Sequence, residues 1–396
     1  VIEMVEKLVI TGNEGSALAF KQIEPDVVAA YPITPQTELM HNFARYIADG
    51  LIDTDLITVE SEHSAMSACV GAASAGARVM TATSANGFAL MWEILYIAAS
   101  SRLPIVMAVV NRALSAPINI HCDHSDTMGG RDTGWIQFYA ENTQEAYDLL
   151  ITAVPIAEHP DVQLPVMVCY DGFIISHTNE VVEVLDDKTV KDFVGEYKPR
   201  INILDTDNPF TFGPLDFHDY YIEHKRQQVE GMKHAYNVIP EVFKKYEDVS
   251  GRRYEYFEKY RFDDADVVMV VLSSTAGTAK VVVDELRGEG LGVGLLKPRV
   301  FRPFPHDKLR EALKDKKSIV VLDRSDSFGA FGGPLFTEIR SALYGIENPP
   351  EIIDFIYGLG GRNITKDELK TAFMKAVDIA EGAEVKNRVD YLGVRE

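Results

Sequence analysis

Leu56-Ile57-Thr58-Val59-Glu60-Ser61-Glu62-His63-Ser64-Ala65 runs from a short β-branched apolar stretch, through two carboxylates, into a segment rich in Ala, Ser and Gly. The apolar half predicts a strand over 56–59 and the second half a helix over 64–75. A strand feeding a helix through a short polar turn is the repeating unit of a wound parallel sheet. The alternation continues on both sides. Strands are predicted over 8–11, 27–31, 79–83, 105–110 and 166–170, and helices over 16–22, 38–48, 90–100 and 144–157. Gly50 suits the position just past the end of the helix over 38–48. The small residues after Glu62 let that helix approach a neighbouring subunit or a cofactor closely.

Beyond Gly172 the pattern breaks. Asp205-Thr206-Asp207-Asn208-Pro209 and the charged, Tyr-rich stretch 220–260 read as an extended connector with one or two helices. Periodicity returns at Asp266, with strands over 267–272, 292–296, 318–322 and 352–356 and helices over 276–287, 306–313, 335–343 and 367–380. The fold class is therefore α/β, with a parallel-sheet domain over 1–175, a connector over 176–264 and a smaller α/β domain over 265–396.

Composition narrows the function. The 396 residues suffice for two or three cores, and 46% hydrophobic with 25% charged residues is ordinary for a globular protein. No apolar run reaches the ~18–20 residues of a membrane span. Val1-Ile2-Glu3-Met4-Val5-Glu6-Lys7 lacks the basic-then-apolar order of a leader, so a cytoplasmic location is expected. A net charge of −21 argues against nucleic acid or anionic membranes as partners. Cys69, Cys122 and Cys169 are too few and too dispersed for the four thiolates that usually hold an iron–sulfur cluster. If the chain serves a redox enzyme, the electron carriers sit on other subunits.

Five polar stretches stand where parallel strands end, the place α/β proteins put ligands. In Tyr31-Pro32-Ile33-Thr34-Pro35 two prolines fix the backbone around Thr34; the plainer reading is a rigid turn. In Glu60-Ser61-Glu62 a carboxyl entering an apolar helix could donate as well as accept a proton, although acids at a helix N-terminus also simply complement its dipole. In Asn111-Arg112-Ala113-Leu114-Ser115 the guanidinium is placed to grip a small carboxylate, or to form a structural ion pair. The cluster His121-Cys122-Asp123-His124-Ser125-Asp126, with Arg131-Asp132-Thr133-Gly134-Trp135, has metal-ligand chemistry but not metal-ligand spacing, and reads as a loop that shapes a pocket. Thr11-Gly12-Asn13-Glu14-Gly15-Ser16 fits neither phosphate-loop pattern and reads as a strand–helix corner.

In this order these motifs resemble the alpha subunit of pyruvate and related 2-oxoacid:ferredoxin oxidoreductases. Thr83-Ser84-Ala85-Asn86-Gly87, Asp171-Gly172-Phe173, the stretch 297–305, Asp323-Arg324 and Tyr357-Gly358-Leu359-Gly360-Gly361-Arg362 extend the resemblance from about residue 6 to about residue 380. It implies a thiamine-diphosphate-binding, pyrimidine-type domain followed by a domain like the transketolase C-terminal one. It further implies that Glu62 bonds N1′ of the cofactor's aminopyrimidine, that Pro32, Ile33, Ser84 and Asn86 help to hold the cofactor, and that Arg112 and Thr34 hold the 2-oxoacid. Glu62, Arg112 and Thr34 are then the catalytic set, and no metal is expected on this chain. The diphosphate with its Mg²⁺ and a 4Fe-4S cluster fall to a beta subunit, further clusters to a ferredoxin-like delta subunit, with a gamma subunit completing the assembly. Coenzyme A is the expected co-substrate and ferredoxin the electron acceptor. Pyruvate is the expected 2-oxoacid, with 2-oxoisovalerate or 2-oxoglutarate as alternatives within the class. A non-catalytic assembly subunit is the alternative outside it. Threonine at position 34, in a loop where an oxalate-using relative carries an extra arginine, argues against a second substrate carboxylate of that kind.

Overall fold

The computed structural model describes residues 6–200, 202–211 and 213–395. Residues 1–5, part of the stretch read above as carrying no leader, lie outside them. Fifteen strands are described, numbered here in chain order: β1 (Glu6–Ile10), β2 (Val27–Ala30), β3 (Asp55–Thr58), β4 (Val79–Thr83), β5 (Val106–Asn111), β6 (Ile136–Tyr139), β7 (Val166–Asp171), β8 (Glu180–Val184), β9 (Phe257–Tyr260), β10 (Val267–Val271), β11 (Val293–Pro298), β12 (Val300–Arg302), β13 (Ser318–Asp323), β14 (Glu351–Ile356) and β15 (Val389–Tyr391).

A seven-stranded sheet has the order β12-β6-β7-β5-β4-β2-β3, and a six-stranded sheet the order β15-β14-β13-β10-β11-β9. Each is parallel except at one edge, where β12 runs against β6 and β9 against β11. The largely apolar β5 and β7 are buried along their whole length, as central strands covered on both faces must be. The chain leaves β2 toward β3 on one side and β4 toward β5 on the other. That reversal opens a crevice at the strands' carboxyl ends.

Three expectations need correction. The strand predicted over 8–11 does not join the parallel sheet; β1 pairs antiparallel with β8 in a separate ribbon. Its exposed face carries Lys7 beside Val9, and a lysine cannot be covered on both faces as an interior strand is. The helix predicted over 90–100 is present as Trp92–Ser100, but its predicted first residue, Leu90, ends a separate helix, Ala85–Leu90, which the longer one meets at Met91. The polar stretch after Arg112 is also more ordered than a loop, containing the helix Ser125–Gly129 and leading through buried Trp135 into β6.

The connector region holds the 30-residue helix Tyr221–Ser250, which packs on the helix Thr143–Ala157. Asp148 fastens the two, accepting from Arg252 Nε at 2.7 Å and from the hydroxyls of Tyr246 and Tyr254. Fully buried Lys297 and nearly buried Arg299 both donate to Glu145 Oε1 at 2.6 Å, and Lys297 also reaches Glu141 at 2.6 Å. Burial alone would push the Glu145 carboxyl up, but these two cations hold it well below the usual carboxylate range. This buried charge cluster ties β11 and the residue that follows it to the first sheet's flank.

Candidate functional site

Because β2, β3, β4, β5 and β7 are parallel neighbours, the turns leaving their carboxyl ends gather on one rim. The residues singled out in the sequence stand on four of those turns.

Glu62 opens the helix Glu62–Ser74, whose N-cap Ser61 accepts a hydrogen bond from Ser64 N at 3.2 Å. Glu62 is 6% exposed, yet among the described residues its carboxylate has no hydrogen-bond or ion-pair partner. A carboxyl held in that way is costly unless something polar meets it. It lies against Gly87, where a Cβ would fall 2.8 Å from both Cγ and Cδ of Glu62 and closer still to Oε1. Only glycine leaves the carboxylate where it is.

Arg112 follows β5 and is 8% exposed. Its Nε donates to Asn119 O and its Nη1 to Thr34 O, both at 2.9 Å. Both acceptors are neutral carbonyls. Among the described residues no carboxylate neutralises this guanidinium and no acceptor meets Nη2. A nearly buried cation with donors to spare is an anion site of fork geometry.

Thr34 is exposed, as are Pro32 and Asn86, while Ile33 is half-buried. Their loop is rigid from below. Gln36 receives Ile33 N at 3.3 Å and donates to Ala82 O at 3.1 Å, and Asn13 donates to Pro35 O at 2.8 Å. The Thr11–Ser16 stretch is a helix start, as Thr11 and Glu14 form a reciprocal capping box. Asn13 within it nonetheless buttresses the Thr34 loop. Ser84 donates its hydroxyl to Val110 O at 2.7 Å, which leaves only its lone pairs for a ligand. Asn86 Oδ1 accepts from Ser115 Oγ at 3.4 Å, so the loops after β4 and β5 touch.

Asp126 is buried beneath those two loops. Its Oδ2 accepts from Arg112 N at 3.0 Å and Ala85 N at 3.1 Å; its Oδ1 accepts from Asn111 Nδ2 at 2.8 Å and Thr127 N at 2.7 Å. Burial pushes this carboxyl up to about 6, against the pull of those bonds.

Cys122, His124 and Asp171 converge closely enough to suggest a cation site. Asp171, however, already accepts from Arg324 Nη1 at 2.9 Å and Ser274 Oγ, and lies 2.8 Å from His124 Nε2. Burial opposes its charge, but Arg324 and His124 hold its carboxyl far below the usual range. The trio is an ion-pair joint between the two sheets. The Cys122 thiol is buried, and burial beside Asp171 pushes it well above the ordinary value, so it is not a reactive thiol. The loop after Arg112 is docked on the glycine-rich turn after β14, where Gly360 N donates to Asp123 Oδ2 at 3.0 Å and Asn119 Nδ2 to Gly360 O at 2.9 Å.

The rim itself is open. Ile118 is 79% exposed at the loop tip, with Tyr31, Ile120 and Ile174 exposed beside it. A cavity of about 840 Å³ lies elsewhere, lined by Tyr96, Arg102, Tyr197 and Lys225 near the amino end of β5.

Sequence reading assigned no role to Gly87, Asn13, Gln36 or Asp126. Gly87, Asn13 and Asp126 stood within quoted motifs, whereas Gln36 carried no signal. Asn13, Gln36 and Asp126 find their partners on other strands and turns, and only folding pairs them.

A family described as pyruvate flavodoxin/ferredoxin oxidoreductase, thiamine diphosphate-binding, matches residues 18–244, and the pyruvate:ferredoxin oxidoreductase core domain II matches residues 265–369. Pyruvate synthase subunit PorA of Thermotoga maritima is 58% identical over 393 residues, spanning 99% of both chains. Ketoisovalerate oxidoreductase subunit VorA of Pyrococcus abyssi is 43% identical over 97% of both. Among solved structures, the 2-oxoglutarate:ferredoxin oxidoreductase of Magnetococcus marinus superposes with a TM-score of 0.73 at 21% identity, over 95% of this chain and 65% of that one. A split-gene transketolase superposes with a TM-score of 0.58 at 14% identity, over 94% of this chain and 99% of that one. At those identities the two structures speak for the fold alone.

Proposed function

The chain belongs to the pyruvate flavodoxin/ferredoxin oxidoreductase family, and on that premise we propose that it is the alpha subunit of an enzyme that decarboxylates pyruvate oxidatively. Pyruvate and coenzyme A yield acetyl-CoA and CO₂, and two electrons pass to ferredoxin. The 58% identity to a pyruvate synthase subunit, against 43% to a ketoisovalerate one, favours pyruvate over the branched-chain acid.

The observation that carries the mechanism is the pairing of an unpartnered Glu62 carboxylate under Gly87 with an Arg112 that has no counter-ion. These residues fit thiamine diphosphate and a 2-oxoacid. Glu62 hydrogen-bonds N1′ of the aminopyrimidine and shares a proton there. Gly87 leaves the room that this bond needs, and Pro32, Ile33, Ser84 and Asn86 would help to hold the aminopyrimidine. When bound, the cofactor supplies the sink for the electron pair left behind as CO₂ departs. Arg112 binds the substrate carboxylate through Nη2, and Thr34 orients it. Orientation is the gain, because tight ground-state binding of the leaving carboxylate would oppose its loss.

The open rim, with Ile118 and Ile120 projecting from it, is where a beta subunit brings the diphosphate half of the cofactor with its Mg²⁺ and a 4Fe-4S cluster. Gamma and ferredoxin-like delta subunits complete the cytoplasmic complex, and Asp171 with Arg324 keeps the second sheet aligned to receive them. Among the described residues no helix is long and apolar enough to cross a membrane.

The test is viologen reduction by the anaerobically purified complex with coenzyme A and a panel of 2-oxoacids. Pyruvate-dependent reduction is expected, falling by about 10²–10³-fold or more in Glu62→Gln with assembly intact. Reduction only with a branched or dicarboxylic acid would change the substrate. No reduction from a preparation retaining iron and thiamine diphosphate would overturn the reading.

A further inference from the structure

We propose that Asp126 is a positioning residue that sets the cofactor loop and the substrate arginine in one register. The inference rests on the functional reading above and adds to it a residue that touches neither ligand.

The carboxylate divides its work by oxygen. Oδ2 takes the backbone N–H of Arg112 and of Ala85, the first from the turn after β5 and the second from the turn after β4. Oδ1 takes Asn111 Nδ2 and Thr127 N, which lock Asp126 itself to the last residue of β5 and to its own helix. Ala85 lies two residues before Gly87, the contact of Glu62, and Arg112 carries the anion-binding guanidinium. One buried side chain therefore fixes, on a single oxygen, the two backbones that carry the acid–base and the carboxylate-binding contacts.

Ala85 adds a second observation. Its φ of 42° lies in the left-handed region that a residue with a Cβ avoids. Such a conformation persists only where its surroundings impose it, and the N–H of this residue is held by Asp126. Asp126 sits near charged and titratable neighbours, Asp123 on its own loop and Cys169 and Tyr139 on β7 and β6, but it forms no ion pair with a described residue. It acts as an acceptor.

Asp126→Asn is the discriminating change. An amide has one acceptor oxygen and one donor nitrogen, so either orientation of the substituted side chain faces an NH₂ toward two N–H donors. The carboxamide fits the space but cannot satisfy both sides.

In the assembled enzyme, Asp126→Asn is expected to raise the pyruvate KM by about tenfold and to lower kcat by about tenfold, from one or two buried donors losing their acceptor. The decisive readout is a pair of double-mutant cycles. In an Arg112→Ala background the KM effect of Asp126→Asn should vanish, and in a Glu62→Gln background its kcat effect should vanish, because it acts through those residues. If its effects multiply with both, or if Asp126→Asn alone leaves both parameters unchanged, Asp126 is no positioning residue. The functional reading would survive that outcome, since it depends on pyruvate turnover by the unaltered complex.

Discussion

Gly87→Ala isolates the placement of Glu62 from everything else. Gly87 lies in the helix Ala85–Leu90, so the backbone accepts alanine, and helix propensity favours it by up to about 1 kcal/mol. The added Cβ would stand 2.8 Å from Cγ and Cδ of Glu62, where ordinary contact begins near 3.4 Å. The atoms it meets are the free end of a flexible side chain with no partner among the described residues. The side chain therefore swings away by roughly 1 Å instead of distorting the fold, a displacement that can cost about 10²-fold in rate. Stability should stay within about 1 kcal/mol, because overpacking of about 1–3 kcal/mol is partly relieved and partly offset by helix propensity. The assay is viologen-linked turnover of the assembled complex beside a denaturant titration of the chain. Gly71→Ala is the control: it lies in the Glu62 helix with open space at its Cβ position, and should not reduce activity. Near-normal turnover by a folded Gly87→Ala enzyme would refute the claim that this glycine sets the Glu62 carboxylate.

Arg112→Ala should raise the pyruvate KM by about 10–100-fold, as loss of a charge-assisted bond to a carboxylate predicts; steady-state kinetics with an unchanged KM would point to another anchor. Lys297→Ala leaves Glu145 and Glu141 short of their buried partner, and should cost about 3–5 kcal/mol in chemical denaturation. Asp171 and Glu145 both have folded carboxyls held below their unfolded values, so each contributes stability above the ordinary carboxylate pKa of about 4. That contribution is lost progressively from the ordinary carboxylate pKa down through their lowered values, so the denaturation midpoint should start to decline below about pH 5 and still be falling below about pH 3, less steeply in Asp171→Asn. Asp323 and Asp354 show the opposite sign. Burial pushes both up, the Asp323 charge adds to the effect at Asp354, and Asp354 Oδ1 has no hydrogen-bond partner among the described residues. Their stabilisation is complete below the ordinary carboxylate pKa and drains away as pH rises. Asp354→Asn should therefore gain stability relative to the native chain in alkaline thermal melts.

The sequence by itself determined the alternation of strand and helix, and with it the parallel sheets and the rim on which the motifs stand. The reason is local: a β-branched run ending in a polar turn and a small-residue helix says the same thing wherever it occurs, as at 56–75. Tertiary structure decided the pairings. β1 has an apolar half, Leu8–Ile10, behind Glu6 and Lys7, and it pairs with β8 because its partner is chosen from a distant part of the chain by which face is left to bury. β12 crosses from the second region to edge the first sheet, where only a free strand edge beside β6 could place it. Cys122, His124 and Asp171 share the residue types of a metal site, and only the approach of Arg324 from the second sheet makes them an ion-pair joint. Glu62, Arg112 and Asp126 are ordinary residues in a linear chain. Gly87, two carbonyls and four N–H donors, brought together by the fold, leave one unpartnered, one without a counter-ion and one holding both loops.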